Sequence, residues 1–234
     1  MVFGYMPLHL TNTLFIPLIE PTYAPNDVLR MVRELLPAAT DQVLAWTVGV
    51  HVAAGVTLRV MSWYRRWRRR GRRYVTRVEA DTSPRRIGLI GGLSGYFLGL
   101  NKTVRHSPHA LSGYLLVPLL AYHAALMKWL PARVGVDVDF DFVQWLLYGG
   151  TGSAWTRWGL GIMPLAGLVS VGAYHMFTGL VQLFRWRSLE LRRKIFNVVI
   201  GINVVGLVSL WRLSTVRPIM NIQYHRILQQ LLWR

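Results

Sequence analysis

The chain has 234 residues, is 53% hydrophobic, and carries 27 Lys+Arg against 10 Asp+Glu for a formal net charge of +17. It contains no cysteine, which excludes a disulfide framework, a thiolate metal site and a cysteine nucleophile. Apolar and charged residues separate into blocks instead of interleaving, which excludes an ordinary soluble domain and predicts an all-α, polytopic membrane bundle. The arginines abut apolar spans and have Trp and Tyr neighbours, a pattern of lipid headgroup contact and not of nucleic acid reading.

A hydrocarbon core about 30 Å thick takes about 20 apolar residues in a helix. In chain order, such spans are predicted at 2–19 (short, somewhat polar, interrupted by Pro7), 42–64, 109–131, 159–184 and 195–214. Together they make a transmembrane domain over 1–214 with about five helices. The connections alternate in charge. Glu20, Asp27, Glu34 and Asp41 mark the first, and ten arginines over 65–86 mark the second. Asp137, Asp139 and Asp141 follow the third span, and Arg185, Arg187, Arg192, Arg193 and Lys194 follow the fourth. Consecutive crossings of one membrane produce this alternation, so the N-terminus and the stretches 65–86 and 185–194 are expected on one side. The Gly-rich stretch 87–100 reads as an interfacial or re-entrant piece. The tail 215–234 reads as amphipathic and surface-lying.

An internal repeat runs through the spans. His9 precedes Pro17 by eight residues, and His123 precedes Pro131 by eight. The second and fourth spans carry His51-x-x-x-Gly55 and His175-x-x-x-Gly179. Two related helix pairs, parallel in orientation, predict a pseudo-twofold axis along the membrane normal. Such an axis would set His51 opposite His175 and His9 opposite His123.

Ionisable groups at membrane depth are costly, so each of these histidines is a site candidate. One reading is packing, with a neutral imidazole hydrogen-bonded to a neighbouring helix. The other is bis-histidine ligation of haem b by His51 with His175 and His9 with His123, with Gly55 and Gly179 admitting a flat macrocycle. His106 and His109 are expected to be interfacial and exposed, and His225 has no evident partner. Asn12 and Asn203 are candidates for interhelical hydrogen bonds. No serine–histidine–acid set, phosphate loop or paired intramembrane carboxylates occur, so no catalytic residue and no metal site are assigned. Arg65, Arg66, Arg68, Arg69, Arg70, Arg72 and Arg73 fix topology and are expected to bind anionic headgroups, at about 1 kcal/mol per basic residue.

The stretches 8–18 (LHLTNTLFIPL), 51–59 (HVAAGVTLR) and 111–123 (LSGYLLVPLLAYH), with the pair Tyr174-His175, resemble the fungal mitochondrial outer-membrane adapter proteins. That resemblance implies a multi-pass protein of lipid homeostasis and organelle contact that recruits a bridge-like lipid transfer protein. It also implies docking through a Pro-x-Pro motif. This sequence contains none, which turns attention to 65–86 as the docking segment. The histidine pattern is more loosely similar to the haem b membrane anchors of succinate dehydrogenase and fumarate reductase.

Overall fold

The computed structural model describes residues 2–70, 108–150, 152–186, 188–218 and 221–232. The stretch 87–100, His106, Arg72 and Arg73 lie outside them. There is no strand among the described residues. The chain begins with α1 (Val2–Leu10), a π-helical turn (Thr11–Phe15) and α2 (Ile16–Ile19), followed by α3 (Ala24–Leu35) and α4 (Thr40–Arg70). The second half repeats the plan with α5 (Pro108–Ala124), a π turn (Ala125–Trp129), α6 (Leu130–Val134) and α7 (Phe140–Tyr148). A third π turn (Thr156–Ile162) then leads into α8 (Met163–Leu183). The chain closes with α9 (Leu189–Thr215) and α10 (Gln223–Leu231).

Four helical segments are long and apolar enough to cross a membrane: Thr40–Arg65, Pro108–Val134, Thr156–Leu183 and Leu189–Thr215. The segment 2–19, a shorter helix that runs on through its π turn, is not among them. It packs against α4 and α9 inside the bundle. The protein is therefore an all-α polytopic bundle, with four helices of membrane length among the described residues.

The π turns trace to proline. Pro17, Pro131 and Pro164 each sit at the start of the α-helical segment that follows a π turn. A proline inside a helix has no N–H to donate and its ring crowds the carbonyl four residues back, and a widened turn relieves that clash. Pro164 leaves the Leu160 carbonyl without its α-helical donor, and the Tyr122 hydroxyl donates to that carbonyl at 2.6 Å. The spacing from π turn to π turn equals the spacing from His9 to His123, so the sequence repeat is a repeat of backbone deformation as well.

The predicted axis is visible in three facing pairs. The rings of His9 and His123 lie 6.1 Å apart, and those of His51 and His175 lie 6.2 Å apart. Between α3 and α7, Asn26 donates to Asp141 at 2.9 Å and accepts the Phe140 N–H at 2.7 Å. The spacing from Asn26 to Phe140 is again that from His9 to His123, so Asn26 meets its own equivalent position across the axis.

The acidic connections form a cap of short helices on one end of the bundle. Arg33 of α3 donates to the Val138 carbonyl at 2.8 Å, and Gln144 of α7 donates to the Pro21 carbonyl at 2.8 Å. Lys128 pairs with Asp41, which sets the ends of the first-half and second-half helices side by side. The tail was expected to lie on the surface. Instead, α10 turns Tyr224, Ile227 and Leu228 into a core with Leu126, Val136, Phe142 and Trp145. Its apolar face is covered by protein, since α7 and the residues before it offer a facing apolar surface. His225 also gains a partner there, edge-on to Trp145 at 5.0 Å.

Glu20 starts α3. Its carboxylate accepts the N–H groups of Thr22 (2.8 Å), Tyr23 (2.7 Å) and Ala24 (2.6 Å). The Ala24 bond foremost, with those of Thr22 and Tyr23, holds its carboxyl down at about 2, against an ordinary value of 4.5. A depressed folded-state pKa stabilises above the ordinary value and is lost as pH falls through the folded value. The docking of α3 should therefore loosen between about pH 4.5 and 2 in the wild type. Glu20→Gln should remove that pH dependence, as read by hydrogen exchange of the 22–35 amides.

Candidate functional site

The four paired histidines enter from different helices, and each pair has its own surroundings. His9 stacks on Tyr5 one turn back, with rings 5.3 Å apart, and faces His123. His51 is exposed on α4, with its ring edge-on to His175.

His175 belongs to a larger polar ladder between α5 and α8, the most closely associated pair of helices. His109 was expected to be exposed, but its ring stacks on that of His175 at 4.4 Å and 8°. The reason is that α5 begins at Pro108, so His109 is in its first turn and faces α8. His109 Nδ1 lies 2.9 Å from the Thr178 hydroxyl, which in turn donates to the Tyr174 carbonyl at 2.7 Å. The Ser112 hydroxyl donates to the His109 carbonyl at 2.7 Å and lies 3.2 Å from His175 Nδ1. Gly113 admits the His175 ring, because a Cβ there would stand 3.0 Å from Cε1. Ser112 and Thr178 were not singled out from the sequence. His109-x-x-Ser112 and His175-x-x-Thr178 share a spacing that puts both members of each pair on one helix face, and that signal points to them.

On its α5 side, His175 is packed in by protein. The space over Gly179 is filled by the His109 imidazole, whose Cε1 would lie 3.3 Å from a Cβ on that glycine. His175 is pressed between the His109 ring and Gly113, and its Nδ1 meets Ser112, so that side of its ring is taken up by α5. Gly55 faces open space, with nothing within 4 Å of a Cβ. Detergent-purified protein should show no Soret band, oxidised or reduced. The double variant His51→Ala, His175→Ala should have the same spectrum.

The two candidate asparagines differ. Asn12 is buried and donates to the Pro25 carbonyl at 2.9 Å, tying the first π turn to α3. Asn203 donates to the Val199 carbonyl of its own helix at 2.7 Å. Ser209 of α9 donates to the Leu14 carbonyl in the first π turn.

The arginine cluster departs from expectation at its start. Residues 65–70 are helical and continue α4 in one piece instead of opening a loop. Arg65 and Arg68 are exposed, and the Arg68 guanidinium sits over the Tyr64 ring at 5.8 Å. Arg is a good helix former, and the helix is already nucleated by the span below, so it carries on past the apolar window.

A family described as MDM10-complementing protein 1, transmembrane domain, matches residues 4–105 and 118–230. The mitochondrial adapter protein MCP1 of Saccharomyces cerevisiae is 43% identical over 210 residues, which cover 89% of this chain and 69% of that protein. No solved structure matches. This is a multi-pass mitochondrial membrane protein. With the match running through both halves of the repeat, the chain belongs to the MDM10-complementing protein 1 transmembrane-domain family.

Proposed function

We propose that the protein is a non-enzymatic adapter of the mitochondrial outer membrane that holds a bridge-like lipid transfer protein in place for lipid homeostasis and organelle contact. The observation that carries this reading is the arginine-rich end of α4. A helix rising about 1.5 Å per residue carries Arg70 roughly 8 Å beyond Arg65. A strongly basic helix end thereby extends beyond the apolar window, where it favours anionic headgroups or an acidic partner. The adapter name of the yeast relative agrees with it.

The test is binding of a purified bridge-like lipid transfer protein to the full chain in nanodiscs that contain anionic lipid. Wild type should retain the partner. Gln at Arg65, Arg66, Arg68, Arg69, Arg70, Arg72 and Arg73 together should weaken retention about tenfold or more. Unchanged binding would place docking elsewhere on the chain, and no binding by wild type would sink the adapter reading.

A second reading within the same class is that the bundle helps lipids change leaflet beside the transfer protein. The ladder of His109, Ser112, Tyr174, His175 and Thr178 lies between two membrane-length helices, beside a mostly apolar cavity of about 270 Å³ whose lining includes Ser112, Ser170 and Tyr174. Polar groups along a groove lower the cost of moving a headgroup through hydrocarbon. Reconstituted protein that leaves the flip rate of fluorescent lipid unchanged would refute it.

A further inference from the structure

We propose that Arg59 of α4, with His51 on the same helix and His109 and His175 across from it, binds the phosphate of a phospholipid. The headgroup enters between α4 and the α5–α8 pair, inside the apolar window and short of the arginines that project past it.

Arg59 is a charge without a counter-ion on the helices around it. It lies within the membrane-length segment Thr40–Arg65, about 9 Å before Arg65 along the helix axis. The acid of α4 is Asp41, in the first turn at the other end of the helix, where it pairs with Lys128. Neither α5 nor α8 contains an acidic residue, and no carboxylate pairs with Arg59 among the described residues. A guanidinium within a membrane span is costly, and such groups pair with another charge or mark a ligand path. None of these three helices offers a carboxylate there, and a ligand anion fills that place.

The surroundings suit a polar ligand. The His51 ring is exposed on α4 and meets His175 edge-on, with centroids 6.2 Å apart. Two turns further along, Arg59 falls in the same stripe of the α4 surface. It lies near enough to His109 for its charge to act on that ring. His109 and His175 stack at 4.4 Å, held in place by Thr178 and Ser112. Polar side chains from three helices thus converge on one cleft. A guanidinium gives two parallel N–H bonds to one phosphate, which a lone imidazole cannot do, so Arg59 is the anchor.

The carrier follows from where the cleft opens. No residue in the apolar window of α4 is buried in the protein, so lipid reaches this helix along its span. Exposed Trp63, Tyr64 and Trp67 follow Arg59 on α4. Such side chains collect at headgroup level, which sets Arg59 just below the phosphates of the adjoining leaflet.

The test titrates full-length protein in detergent with dioctanoyl phosphatidic acid, dioctanoylglycerol or inorganic phosphate and follows the unfolding midpoint. A ligand held by α4 and by the α5–α8 pair ties these helices together. Phosphatidic acid should therefore raise the midpoint, and dioctanoylglycerol should not. Arg59→Gln should weaken the affinity for phosphatidic acid about tenfold or more. Arg59→Lys keeps the charge without the fork and should fall between the two, so the site can be tested even if Arg59→Gln does not fold. Arg217→Gln makes the same charge change beyond the far end of α9 and should leave the affinity as in wild type. Inorganic phosphate acting as well as phosphatidic acid would refute the lipid carrier. Equal affinities of wild type and both Arg59 variants, or an equal loss in Arg217→Gln, would overturn the proposal. The titration reads binding at equilibrium and not leaflet exchange, so this site and the flip reading can fail separately.

Discussion

Replacing Trp145 by Ala is expected to cost about 3–5 kcal/mol, because it removes a large, fully buried side chain from a core that cannot collapse onto the space. Trp145 contacts Phe142 at 5.9 Å, Tyr224 at 5.6 Å and His225 at 5.0 Å between ring centroids. These contacts join α7 to α10. Neither α7 nor α10 is a membrane-length helix, and burial of their apolar faces against each other and against Leu126 drives the assembly of the cap. The loss should therefore appear as release of α10, with the 223–231 segment becoming open to protease while the long helices stay folded. A variant with its tail still protected and its unfolding midpoint unchanged would contradict this account of the cap.

Gly206→Leu is expected to be the most damaging change inside the bundle. Gly206 sits where α9 crosses both α8 and the first π turn. A Cβ there would stand 2.6 Å from Val169 Cγ1 and 3.2 Å from Leu14 Cδ2. Hydrocarbon gives helices no hydrophobic reason to associate, so van der Waals contact at small residues and hydrogen bonds such as Ser209 to Leu14 hold them. Overpacking typically costs about 1–3 kcal/mol, and here it also pulls the Ser209 hydroxyl from its acceptor. Gly206→Ala should lower the unfolding midpoint and Gly206→Leu should lower it further or prevent purification of a monodisperse protein. Leu at Gly201, where a Cβ meets nothing within 4 Å, is the matched control and should be tolerated.

The sequence by itself determined the membrane-bundle class, four of the membrane-length helices to within a few residues, the two-half repeat and the pairing of histidines across it. Each of these follows from one-dimensional quantities: hydropathy over a bilayer thickness, charge alternation between crossings, and the spacing of His, Pro and Gly. Family membership was legible for the same reason, since the matched stretches are contiguous. Only the tertiary structure decided which neighbours each polar group meets. His109 is placed by where α5 begins, and it then fills the space over Gly179 that the sequence had left for a macrocycle. The tail carries an amphipathic pattern that lipid or protein could cover equally well, and the facing surface of α7 selects protein. The 2–19 segment is a single short helix with a π turn before Pro17, and only the tertiary structure shows it packed against α4 and α9. Partner choice is a property of surfaces that meet across long sequence distances, and no local pattern encodes it.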